Sequence, residues 1–200
     1  MTLVDLQGAV ALITGGRGGL GSRVCAAFHD ARAQVVAADV IPADSGKLTP
    51  GALNLQADTA TAEGANAAVR ATVDQFGRLD VLVNNAGINH WVEFEDLDAM
   101  TDELWDRILG TNLKGPWICA KAVAPIMKRQ QRGRIISVAS IAGIRPAGSS
   151  IAYSVAKAGV IHLTRCLAVA LAPHVLVNAV APGLMEGTGM TVNLAQHFID

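Results

Sequence analysis

The sequence predicts a three-layer α/β fold, a doubly wound parallel sheet covered by helices on both faces. Three observations lead there. Short β-type runs alternate with longer helical stretches, the pattern of parallel strands joined by right-handed crossovers. The first run, Ala9-Val10-Ala11-Leu12-Ile13-Thr14, is apolar without interruption and stops at glycines, as a strand buried on both faces should. The residues able to do chemistry follow the ends of these runs, which is where such sheets bind ligands.

Taken in order, Leu20 to Ala31 is helical, with Val24, Ala27 and Phe28 on one face. Gln34 to Asp39 is a second strand that ends in an acid. A looser stretch with Pro42, Gly46, Pro50 and Gly51 leads to a candidate third strand, Ala52 to Gln56. Thr61 to Phe76 is a helix closed by Gly77. Leu79 to Asn84 is a further strand, running into Asn85-Ala86-Gly87. Thr101 to Gln131 reads as helix with an interruption near Gly115-Pro116, and Gly133 to Val138 as strand. Ile151 to Leu171 is helical and apolar on nearly every side, so it should be buried or packed against another subunit. Val175 to Val180 is the last strand.

Composition excludes several function classes. The 16 basic and 17 acidic residues nearly cancel, so there is no electrostatic case for nucleic acid or an anionic membrane as partner. The three cysteines, Cys25, Cys119 and Cys166, are far apart in apolar stretches, which suits core fillers in a reducing compartment and gives no metal site. Met1 to Leu6 shows no basic region leading into an apolar one, so no signal peptide is read there. The apolar stretch from Ile161 to Pro182 is broken by Arg165, Pro173 and His174, so no membrane span is expected. A cytoplasmic protein fits these features.

Thr14-Gly15-Gly16-Arg17-Gly18-Gly19-Leu20-Gly21 joins the first strand to the first helix. Glycines let the backbone turn sharply and approach a pyrophosphate, which then sits on the helix N-terminus and its unpaired N–H groups. A glycine pattern alone is weak. Its place after the first strand, with Asp39 eighteen residues beyond Gly21, makes it a Rossmann-type dinucleotide site. Asp39 can accept from both adenosine ribose hydroxyls and would repel a 2′-phosphate, which favours NAD over NADP. Arg17 works the other way, since its side chain is able to reach a phosphate. Asp58 and Thr59 are placed to meet the adenine edge, although a plain turn explains them nearly as well.

Tyr153 and Lys157 are four residues apart, with Ser140 thirteen residues before the tyrosine. A phenol with its ordinary pKa of about 10 trades protons poorly at neutral pH. A lysine one turn along the same helix face favours phenolate and moves the group toward useful acid–base chemistry. Alone, the pair is also what a solvated lysine beside a half-buried tyrosine would give.

With Thr14-Gly15-x-x-x-Gly19-x-Gly21, Asn84-Asn85-Ala86-Gly87, Asn112, Ser140, Tyr153-x-x-x-Lys157 and Pro182-Gly183 in this order, the chain resembles the short-chain dehydrogenase/reductase family, single-domain branch, from about Leu6 to Gly183. The resemblance implies an NAD(H)-dependent oxidoreductase that interconverts a secondary alcohol and a ketone. It implies Tyr153 as general acid/base and Lys157 as the group that lowers its pKa and holds the nicotinamide ribose. Ser140 would donate to the substrate oxygen, and Asn112 would hold a water linking Lys157 to solvent. Ser137 rivals Ser140 but falls sixteen residues before Tyr153, off the family spacing. Around the cofactor the loop reading places Gly15, Arg17, Gly19, Leu20, Gly21, Asp39, Asp58 and Thr59, and the resemblance adds Asn85, Ala86, Gly87, Pro182, Gly183 and Thr188. It also implies a homodimer or homotetramer packed through the two long helices.

Members of that family usually continue into another helix and a seventh strand, whereas this sequence stops at Asp200. The expectation is therefore a single dinucleotide-binding and catalytic domain over 1–200 whose C-terminal part is incomplete, with the substrate lid starting at about 184. Substrate contacts are expected from His90-Trp91-Val92, from Ile141 to Ser150, and from Leu184 onward. The mix of Trp91, Ile141, Ile144 and Met185 suits a moderately apolar substrate. Two other readings compete. A non-catalytic NAD-binding sensor or structural subunit would ordinarily have lost the tyrosine or lysine. A methyltransferase-like nucleotide fold would leave Tyr153-x-x-x-Lys157 unexplained.

Overall fold

The computed structural model describes residues 4–42, 45 and 48–185. Among these residues six strands, β1 (Val10–Thr14), β2 (Gln34–Asp39), β3 (Ala52–Gln56), β4 (Val81–Asn84), β5 (Gly133–Val138) and β6 (Val175–Val180), form one sheet in the order β3-β2-β1-β4-β5-β6. All five pairings are parallel, with Leu12 opposite Val36 on one side and Leu82 on the other. The order reverses between β1 and β4, and a cleft opens there at the carboxyl ends of the strands.

Helices cover both faces, as the unbroken apolar strands require. α1 (Gly19–Asp30) packs one face through Cys25, Val24 and Phe28 against Ile13, Val35 and Val83. Ala27, expected on that face, is exposed, and Cys25 takes its place. The other face carries α2 (Ala62–Phe76), α4 (Gly115–Arg129) and α5 (Ile151–Leu171), whose apolar residues meet Leu12, Leu82 and Ile135. Leu82 and Ile135 are fully buried, and trimming either to alanine would cost about 2–5 kcal/mol.

The helix ends follow capping chemistry. The Thr61 side chain accepts from Gly64 N at 3.1 Å, and Gly77 closes α2 at φ 74°, a left-handed conformation suited to glycine. Ser150 Oγ accepts from Tyr153 N at 3.2 Å, so the cap of α5 fixes the turn that bears the tyrosine. Between α3 (Asp102–Leu109) and α4 the interruption is a π turn at Gly110–Lys114, one turn earlier than the Gly115-Pro116 step that suggested it.

By length and composition α5 is the one helix among the described residues able to cross a membrane. Here it covers the sheet, packing on β6, α3 and α4. It is less buried than its composition suggested, with Val155 and Val169 exposed. Cys166, on the same helix, is exposed as well, which corrects the reading of all three cysteines as core fillers. The other two are buried, and burial pushes the Cys25 thiol up to about 11 and the Cys119 thiol to about 12.

Candidate active site

The cleft has a volume of about 900 Å³ and runs from Asp39 and Asp58 at one end to Ser140, Tyr153 and Met185 at the other. Gly15, Gly19, Leu20, Gly21, Asn85, Ala86, Gly87, Lys157, Pro182 and Gly183 line it in between. Thr188 lies outside the described residues.

Its floor is tied together at the β1–β4 switch. Thr14 Oγ1 accepts from Asn85 N and Ala86 N, each at 3.0 Å, while Asn85 Nδ2 donates to the carbonyls of Thr14 (2.9 Å) and Gly15 (3.0 Å). Gly15 sits at φ 62°, and a Cβ there would lie 2.9 Å from Ala86 Cα. At Gly21 a Cβ would overlap the Gly15 carbonyl. The N-terminus of α1 has no side-chain cap and no acid in its first turn, so its free N–H groups face the cleft uncompensated. These features fit a pyrophosphate.

Asp39 is buried at the end of β2, with Oδ2 accepting from Arg17 N at 3.0 Å and Oδ1 from Ile41 N at 3.2 Å. Each oxygen keeps a second lone pair for a ribose hydroxyl. The Arg17 side chain turns off the cleft wall and donates Nη1 to Ile41 O at 2.6 Å. Its Nε and Nη2 are buried with no partner among the described residues. Thr49 Oγ1 donates to Gly16 O at 2.9 Å and helps hold this corner, a role that its place in a loose stretch did not announce. Asp58 Oδ1 accepts from Ala60 N at 3.0 Å, as a turn acid does, and Thr59 O accepts from Cys119 Sγ at 3.3 Å. Both still line the cleft.

At the other end, Ser140 Oγ accepts from Ala142 N at 3.1 Å and faces the cleft. Ser137 does not line it; its hydroxyl accepts from Asn84 Nδ2 at 3.3 Å inside the sheet. Lys157 is 4 % exposed, and Nζ donates to Val138 O at 2.7 Å, 5.6 Å from the Tyr153 ring centroid. Burial pushes the Tyr153 phenol above its ordinary value, opposed by a hydrogen bond with Ser140. Burial also brings Lys157 down to about 8. In the free protein burial dominates the Tyr153 phenol, and the Lys157 ammonium, expected to lower it, is bonded to the Val138 carbonyl.

Asn112 is buried in the π turn and grips the chain after β4. Nδ2 donates to Ile88 O at 2.8 Å, and Oδ1 accepts from Ile88 N at 3.0 Å. It does not itself line the cleft. Arg107 and Thr111, neither singled out in the sequence, do, as does Arg145, which falls in the expected substrate-contact stretch Ile141 to Ser150. Their only signal was position, on a helix face and a loop that follow strand ends.

A family model described as short chain dehydrogenase matches residues 9–198. Granaticin polyketide synthase putative ketoacyl reductase 2 of Streptomyces violaceoruber is 42% identical over 184 residues, covering 90% of this chain and 74% of that protein. The 3-oxoacyl-[acyl-carrier-protein] reductase of Synechocystis sp. is 39% identical, covering 96% of this chain and 80% of that one. Among solved structures, 3-ketoacyl-(acyl-carrier-protein) reductase from Brucella melitensis complexed with NADH superposes with a TM-score of 0.85 at 34% identity, covering 93% of this chain and 79% of that one.

Proposed function

The chain belongs to the short chain dehydrogenase family, and we propose that it is an NAD(H)-dependent oxidoreductase interconverting a secondary alcohol and a ketone. The observation that carries the proposal is the meeting of Ser140, Tyr153 and Lys157 in the cleft that the glycine loop and Asp39 also line. A cofactor held there supplies hydride transfer at nicotinamide C4. Gly15, Gly19, Leu20 and Gly21 leave room for its pyrophosphate at the α1 N-terminus, and Asp39 takes the adenosine ribose. Arg17 supports that arrangement through its backbone N–H on Asp39. Asp58 and Thr59 stand at the adenine edge, Asn85, Ala86 and Gly87 form the floor, and Pro182 and Gly183 wall the nicotinamide side.

Tyr153 holds its proton at neutral pH, since burial raises its pKa, so it is set to act as an acid toward a carbonyl oxygen. Ser140 donates to the same oxygen as charge develops there. Lys157 is placed to exchange its Val138 partner for the ribose hydroxyls, bringing positive charge closer to the phenol. Asn112 holds the backbone at Ile88, and with it the chain that leads from β4 over the cleft.

The NAD preference rests on Asp39, whose carboxylate would meet a 2′-phosphate with like charge. The test is titration of the purified protein with NADH and NADPH by fluorescence, followed by ketone reduction in the wild type and in Tyr153→Phe. NADH preference with turnover lost in the variant supports the reading. Full turnover by Tyr153→Phe overturns it.

A further inference from the structure

Charge along the cleft is segregated. Its only carboxylates among the described residues are Asp39 and Asp58, both at the adenosine end. Beyond the glycine loop the ionisable lining consists of His90, Arg107, Cys119, Arg145, Tyr153 and Lys157. Cys119 is an uncharged thiol held on Thr59 O, and Lys157, bonded here to Val138 O, is assigned above to the cofactor ribose. The two arginines are different. Arg107 comes from α3, the helix that packs beside Tyr153, and Arg145 from the loop between Ser140 and the start of α5. Neither guanidinium has a hydrogen bond or an ion pair among the described residues. Glu93, on the rim segment, accepts the Trp91 indole hydrogen at 2.8 Å.

We propose that Arg107 and Arg145 bind an anionic group on the substrate, so that this site takes secondary alcohols or ketones that carry a carboxylate or a phosphate. The inference rests on the oxidoreductase reading of the same cleft. A guanidinium suits the task because its planar fork meets both oxygens of a carboxylate or phosphate and never loses its charge. Both arginines are exposed at the edge of the cleft, and with no acid among the described lining at that end their charges draw an anion with a strength that salt screens. The apolar lining from Ile141, Leu184 and Met185 then accommodates the carbon chain between the anion and the reacting centre.

The test compares acetoacetate with methyl acetoacetate, which differ in charge at one end and keep the same ketone. Binding to the protein saturated with NAD+ is measured by calorimetry, in a combination that cannot turn over. Reduction with NADH is measured separately. The acid is expected to bind at least tenfold more tightly than the ester. That ratio should fall at least fivefold in Arg145→Gln and in Arg107→Gln, and shrink between 0.02 and 0.5 M KCl. Acetoacetyl-CoA against acetoacetyl-pantetheine separates the two sources of charge. A preference confined to that pair assigns the arginines to a distant phosphate, and one confined to the acid assigns them to a carboxylate. Equal binding of the charged and neutral members of both pairs overturns the proposal, as does a preference that both variants leave intact. If the acid binds preferentially but nothing is reduced, the anion site stands and the oxidoreductase reading falls. If acid and ester are reduced equally well, the reverse holds.

Discussion

The Lys157 ammonium stands 5.6 Å from the centroid of the Tyr153 ring, while its short hydrogen bond goes to the Val138 carbonyl. Both side chains carry burial costs, which raise the phenol and bring the lysine down to about 8. In the free protein the phenol therefore keeps its proton at neutral pH.

Removing the phenol oxygen should stop chemistry and spare binding. Tyr153→Phe is expected to lower kcat for ketone reduction at least a hundredfold, about 2.7 kcal/mol in barrier, with the NADH Kd changed less than threefold. Stopped-flow turnover and fluorescence titration on the same preparation check both halves.

Lys157 makes a prediction about pH. Its folded pKa, about 8, lies below the ordinary 10.5, so between those values the unfolded chain binds the extra proton. Stability from this group is therefore full above about 10.5 and is lost as pH falls through 8. Cys25 and Cys119, with raised pKa values, act oppositely above pH 9, so the raw profile mixes them. Subtracting the profile of Lys157→Met isolates the lysine. Relative to the variant, the wild type should gain stability between pH 8 and 10.5 in urea unfolding, and a flat difference would contradict the assignment.

Asp39 makes a cofactor prediction. Asp39→Asn keeps an oxygen for one backbone N–H but removes the charge that opposes a 2′-phosphate. The ratio of NADPH to NADH Kd should fall at least tenfold, about 1.4 kcal/mol. Arg17→Gln, whose side chain meets Ile41 and lies off the cleft, should move that ratio less than threefold.

Asn112→Ala removes both hydrogen bonds to Ile88 and leaves that backbone N–H and carbonyl short of partners in a partly buried place. The expected cost is about 2–3 kcal/mol of unfolding free energy, read as a lower urea midpoint.

Much of this was legible in the sequence because parallel strands buried on both faces must read as apolar runs. The ranges of β2, β3, β5, β6 and α5 needed no revision. The family spacing favours Ser140 over Ser137, and Ser140 lines the cleft while the Ser137 hydroxyl meets Asn84. What stayed hidden depends on through-space arrangement. The direction of the Tyr153 shift is set by desolvation, which no spacing reports. The turning of Arg17 toward Ile41, the Thr49 contact with Gly16 and the arrival of Arg107 and Arg145 at one cleft all join residues from separate elements. Periodicity placed α5 correctly but could not say which of its apolar residues stay exposed, because nearly all its faces are apolar.

The most direct test follows the hydride itself. The protein would be incubated with NADH deuterated at nicotinamide C4 and a panel of β-keto acids, esters and cyclic ketones, and the products weighed by mass spectrometry. The account predicts one deuterium on the carbinol carbon of at least one product, and none formed by Tyr153→Phe. Tight NADH binding with no deuterated product from any ketone, in wild type and variant alike, would contradict it and leave a nucleotide-binding protein without the chemistry.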